Sequence, residues 1–174
     1  GGYVAMQFVK KYRARVRGLI LCDTKTTADT PEVVKNRLIL ADVIDEEGRS
    51  DLADGMIPKL LCKQTRENDP ALTQRVREMI MNTDPQGIAA SSRGMAQRED
   101  TTAVLDKVKC PSLVIVGEQD IPSPPEEMQK VADAMKNSTF VKIPNAGHLP
   151  PLEQPREFNM AVCDFLHKLS DNNK

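Results

Sequence analysis

At 174 residues the chain is long enough for one domain with a real core, and 40% hydrophobic with 28% charged residues is ordinary for a soluble globular protein. A formal net charge of −1 supplies no basic field for nucleic acid or an anionic membrane. No apolar run approaches the ~20 residues of a membrane span, so neither nucleic acid nor membrane is an expected partner. The four cysteines, Cys22, Cys62, Cys110 and Cys163, are scattered and form no Cys-x-x-Cys pair. They read as reduced, mostly buried small hydrophobes of a cytoplasmic protein. The two histidines, His148 and His167, do not cluster with them, so a zinc site is not expected.

The first element is a helix. Tyr3 to Tyr12 shows helical spacing at Val4, Phe8 and Tyr12. Gly18-Leu-Ile-Leu-Cys-Asp23 then reads as a buried strand ending on a carboxylate. Asp23 is expected to cap the following Thr24-Lys-Thr-Thr turn. From about Thr30 to about Asp100 the pattern becomes helix after helix. Thr30-Pro31, Asp69-Pro70 and Asp84-Pro85 each place an N-cap before Pro at the first helical position. Ser50-Asp51 opens a fourth helix. Phe, Tyr and Trp are absent from residues 26–104, so Met and aliphatic side chains must line any pocket formed there. Ala90-Ser-Ser92-Arg-Gly94 imitates a nucleophile turn, but a strand must precede such a Ser and here the flanks read as helix.

The stretch from Cys110 to Leu152 carries the chemistry. Ser-Leu-Val-Ile-Val-Gly117 and Thr-Phe-Val-Lys-Ile143 read as two buried strands. Ser123-Pro-Pro-Glu126 fits a capping box between them, and its helix sets Met128, Val131, Ala132 and Met135 on one face. Strand, helix and strand of this length predict a right-handed parallel crossover. Asp120 and His148, one after each strand, then emerge at the same carboxyl edge of one sheet, where open α/β folds place their sites. The last helix, Pro155 to Leu169, sets Phe158, Val162, Phe165, Leu166 and Leu169 on a stripe, with His167 solvated beside it. Ser170 to Lys174 is expected to fray.

The Val-Gly-Glu-Gln-Asp120 and Asn-Ala-Gly-His148 loops resemble those that hold the acid and the base in the α/β-hydrolase family. The resemblance implies an α/β fold with residues 1–25 and 105–174 as part of the hydrolase core, lacking its N-terminal strands. Residues 26–104 become an all-helical cap. It implies Asp120 as orienting acid and His148 as general base, with Asp23 the alternative acid. Gly1-Gly2 resembles the end of a Gly-x-Ser-x-Gly-Gly elbow, which puts the nucleophile two residues before Gly1. The segment from Val76 into the Asp120 strand looks most like the 3-oxoadipate enol-lactonase and small-esterase branch. The aromatic-free insertion speaks against the dehalogenase and epoxide-hydrolase branches. The enol-lactonase and small-esterase branch implies hydrolysis of a small ester or lactone without a metal or organic cofactor. The other reading is a non-catalytic binding module. A hydrolase sheet begun at this point exposes the edge of the 16–22 strand, so self-association, or association with a separate N-terminal fragment, is expected.

Overall fold

The computed structural model describes residues 1–47 and 50–171. Helix α1 (Gly2–Tyr12) leads through a short 3-10 turn (Arg13–Arg15) into β1 (Leu19–Cys22). A helical insertion follows: α2 (Pro31–Glu47), α3 (Ser50–Leu60), α4 (Lys63–Asn68), α5 (Pro70–Asn82) and α6 (Pro85–Ala96). The chain returns as β2 (Ser112–Gly117), α7 (Pro125–Asp133) and β3 (Ser138–Ile143), then closes with α8 (Pro150–Glu153) and α9 (Pro155–Asp171).

The three strands form one parallel sheet in the order β1-β2-β3, with Leu19 opposite Ser112 and Ser112 opposite Ser138. Central β2 is buried at all six positions, as an inner parallel strand covered on both faces must be. Alternation divides the core. Leu19, Leu21, Val114 and Val116 face Met6 and Val9 of α1 and Met128, Val131 and Ala132 of α7. Leu113, Ile115 and Ile143 face Phe165 of α9. The sheet is thus a middle layer between α1 with α7 and α9.

Several expectations need correction. The stripe on α1 that packs on the sheet is Met6 and Val9; Val4, Phe8 and Tyr12 lie on the exposed side. Leu166 of α9 is exposed, because Phe165 and Leu169 already fill the contact with the sheet. The capping box at Ser123 does not form. Helix α7 starts at Pro125 with no side-chain cap, and buried Ser123 instead donates its backbone N–H to Asp120. By contrast, all three Pro-led caps of the insertion form, with Thr30, Asp69 and Asp84 accepting from Val33, Leu72 and Gln86. His167 is exposed; Ser170 and Asp171, expected to fray, continue the last helix, and residues 172–174 lie outside the described residues. No helix among the described residues is long and apolar enough to cross a membrane.

Two features anchor the insertion. Its ends are tied by Asp29, which pairs with Arg37 of α2 and with Arg98 just beyond α6. Arg98 also donates to the Thr27 carbonyl and stacks over the Tyr3 ring of α1, 4.3 Å from its centroid. The junction of α3 and α4 reaches over to the loop after β3, where its Leu60 carbonyl accepts the His148 N–H.

Candidate active site

Both site loops leave the sheet at the carboxyl ends of adjacent strands and pack backbone to backbone. Glu118 N–H donates to the Ile143 carbonyl and Gln119 N–H to the Ala146 carbonyl. The approach demands glycine at Gly117, because a Cβ there would overlap the Gly147 carbonyl oxygen. Gly147 is equally confined, against the backbone of Leu60, Leu61 and Cys62. Asn145 takes a left-handed φ of 54° and turns the chain so that His148 faces back over the sheet edge.

That turn brings His148 Nδ1 to 3.0 Å from each oxygen of Asp120. The Asp120 carboxylate has a solvent-inaccessible side chain and also accepts the Ser123 N–H at 3.0 Å. An ionised carboxylate only accepts, so the proton of the neutral ring sits on Nδ1 and Nε2 carries the free lone pair. The His148 side chain retains 24% of its exposure, enough to meet a substrate. Burial pulls the imidazole downward. The hydrogen bond and charge of Asp120, with Asp23 and Glu153 behind it, outweigh burial and hold the ring above its ordinary value.

Asp23, the alternative acid of the sequence reading, joins the cluster, and it does not cap the Thr24 turn. Its φ of 44° turns the carboxylate inward rather than over the Thr24 turn. Oδ1 accepts Gly117 N–H at 2.9 Å and Oδ2 accepts the Cys22 thiol at 2.7 Å. Burial raises its pKa to about 7, the Cys22 and Gly117 hydrogen bonds pull against that rise, and the nearby charge of Asp120 adds to it. The same surroundings push the Cys22 thiol far up, burial first and the Asp23 charge next. Ligand atoms of Asp23, Asp120 and His148 all lie within 4.8 Å of one another. Both carboxylates already accept hydrogen bonds from Gly117, Cys22, Ser123 and the His148 ring. The trio is thus tied by hydrogen bonds into the strand ends and loops around it.

Ser92 lies far from this role. It is buried in the middle of α6 with its hydroxyl donating to the Arg37 carbonyl at 2.9 Å. The start of helix α1, in contrast, lies against Thr24. Gly2 packs so closely on Thr24, the neighbour of Asp23, that a Cβ on Gly2 would overlap the threonine side chain.

The sequence pattern of the Ndr family matches residues 1–169. The chain belongs to that family. Its fold is that of the α/β hydrolases. A thermophilic esterase from Thermogutta terrifontis superposes with a TM-score of 0.94 at 46% identity, over 97% of this chain and 62% of that one. The enol-lactonase from Burkholderia xenovorans LB400 gives a TM-score of 0.85 at 26% identity, over 95% of this chain and 62% of that one. The 3-oxoadipate enol-lactonase 2 of Acinetobacter baylyi is 22% identical over 162 residues, 93% of this chain and 59% of the relative. The chain thus spans about three fifths of the length of these hydrolases.

Proposed function

We propose that this chain supplies the acid and the base of an α/β hydrolase that cleaves a small-molecule ester or lactone. The observation that carries the reading is the placement of His148 Nδ1 against a fully buried Asp120 carboxylate, at the carboxyl edge of a parallel sheet. In this reading Asp120 holds the tautomer and stabilises the imidazolium, while Nε2 takes the proton of the nucleophile. The same ring returns that proton to the leaving group, and a second round with water releases the acid. The nucleophile is a serine preceding Gly1. The close seat of Gly2 on Thr24 supports this, because it sets the start of α1 beside the acid–base cluster. The insertion, α2 to α6, acts as the cap over the substrate. The β1 edge, which pairs only with β2 among the described residues, with exposed Val4 and Phe8 on α1, is the surface through which the chain associates with a second copy or with an N-terminal fragment.

The test is hydrolysis of short p-nitrophenyl esters and of enol-lactones by the polypeptide encoded with its upstream residues. Turnover that falls by about 10³ or more in both His148→Ala and Asp120→Ala is expected. Residues 1–174 alone should show no turnover above a His148→Ala control. Turnover by residues 1–174 that Ser92→Ala abolishes would overturn the assignment.

A further inference from the structure

Glu153 stands five residues after His148, at the end of the one-turn helix α8. Its two carboxylate oxygens go to different parts of the molecule. Oε1 accepts the Gly147 N–H at 2.7 Å, within the histidine loop. Oε2 accepts the Cys62 N–H at 2.8 Å, at the junction of α3 and α4 in the helical insertion, 91 positions away in sequence. The two segments meet directly as well. His148 N–H donates to the Leu60 carbonyl at 2.8 Å, and the Cys62 thiol reaches the Asn145 carbonyl at 3.3 Å. Gly147 leaves no room for a Cβ against Leu60 and Cys62.

A brace for its own turn needs only the Gly147 contact. The second oxygen has no such use, because Cys62 belongs to another element. A carboxylate suits this place because both oxygens accept and neither donates. A glutamine would turn an N–H toward one of the two backbone N–H groups. We propose that Glu153 is a positioning residue that fastens the helical insertion to the histidine loop, so that the seat of the insertion and the aim of the His148 imidazole change together. A substrate that shifts the α3–α4 junction thereby shifts the base. This deepens the reading of His148 as general base and rests on it.

The experiment compares the whole chain with Glu153→Ala and Glu153→Gln by amide hydrogen exchange and by the proton resonance of His148 Nδ1–H. In Glu153→Ala the amides of Cys62, Gly147 and His148 should all exchange roughly tenfold faster or more, the size of a lost hydrogen bond to a charged acceptor. The ring resonance should broaden or vanish with them. Glu153→Gln, which keeps the fold if alanine does not, should deprotect one of the Cys62 and Gly147 amides and move the ring resonance. Acceleration at Gly147 alone, with Cys62 and the ring unchanged, would reduce Glu153 to a brace of its own turn and overturn the proposal. Unchanged protection at both amides in the glutamine variant would overturn it as well. None of these readouts needs turnover, so a failed clamp and a failed hydrolase reading give different results.

Discussion

The two sides of the sheet are built to different standards of closure. On the β2–β3 side, the loops carrying Asp120 and His148 touch through glycines at Gly117 and Gly147, and Asp120 is sealed from solvent. On the β1 side, the strand pairs only with β2 among the described residues. Its groove, lined by Val4, Phe8, Val16, Gly18, Leu19 and Leu169, lies open. The contrast teaches that the Asp120–His148 contact is held by elements wholly within this chain. The β1 side has no such closure among the described residues.

Breaking the closed side should have the largest effect. Gly117→Ala forces a Cβ into the backbone carbonyl of Gly147, where no side chain can yield. A loss of about 3 kcal/mol or more in chemical denaturation is expected, together with loss of the Asp120–His148 contact in the histidine NMR signals. Stability near wild type would show that the two loops are not locked together.

A middle-sized effect comes from Asp23, which lies between the two sides. Its raised pKa means that the folded state holds its proton more tightly than the unfolded chain does. The associated stability is full below about 3.8 and is lost as pH rises through about 7. His148, also raised, acts in the same sense above 6.5. The wild type should therefore lose stability from pH 5 to pH 8. Asp23→Asn keeps an acceptor for Gly117 N–H and tolerates the left-handed φ. It should flatten much of that loss, by on the order of 2 kcal/mol at pH 8. Parallel pH profiles for the two proteins would show that Asp23 is ionised throughout.

The smallest effect on stability belongs to the open side. Val4 is 73% exposed, so Val4→Gln should change the unfolding free energy by no more than about 0.5 kcal/mol. Light scattering should nevertheless show weaker self-association. A large destabilisation would mean that the α1 face is already covered within the folded chain.

Much of this was legible in the sequence, and the misses have physical causes. The β2 and β3 runs and the α7 face at Met128, Val131 and Ala132 are strong apolar patterns, and each stands where the spacing put it. Helix α4 was not legible because Lys63–Asn68 has no apolar period and is capped by a thiol, Cys62 accepting from Thr65 N–H. The bidentate reach of Glu153 depends on Cys62, too distant in sequence for any local pattern to signal it. Asp23 read as a turn cap because its inward aim follows from a positive φ that Asp adopts without a marker in the sequence. Glycine pairs such as Gly117 and Gly147 were the one hint that the two loops approach closely.

The most direct measurement of the central claim is an NMR pH titration of the His148 ring, in the wild type and in Asp120→Asn. Asp120→Asn removes the hydrogen bond and charge that hold the imidazole up and leaves burial to act. His148 should titrate above 6.5 in the wild type and fall below it in the variant. A His148 ring that titrates at or below 6.5 in the wild type, and does not move in Asp120→Asn, would contradict the account of Asp120 and His148 as a working acid–base pair.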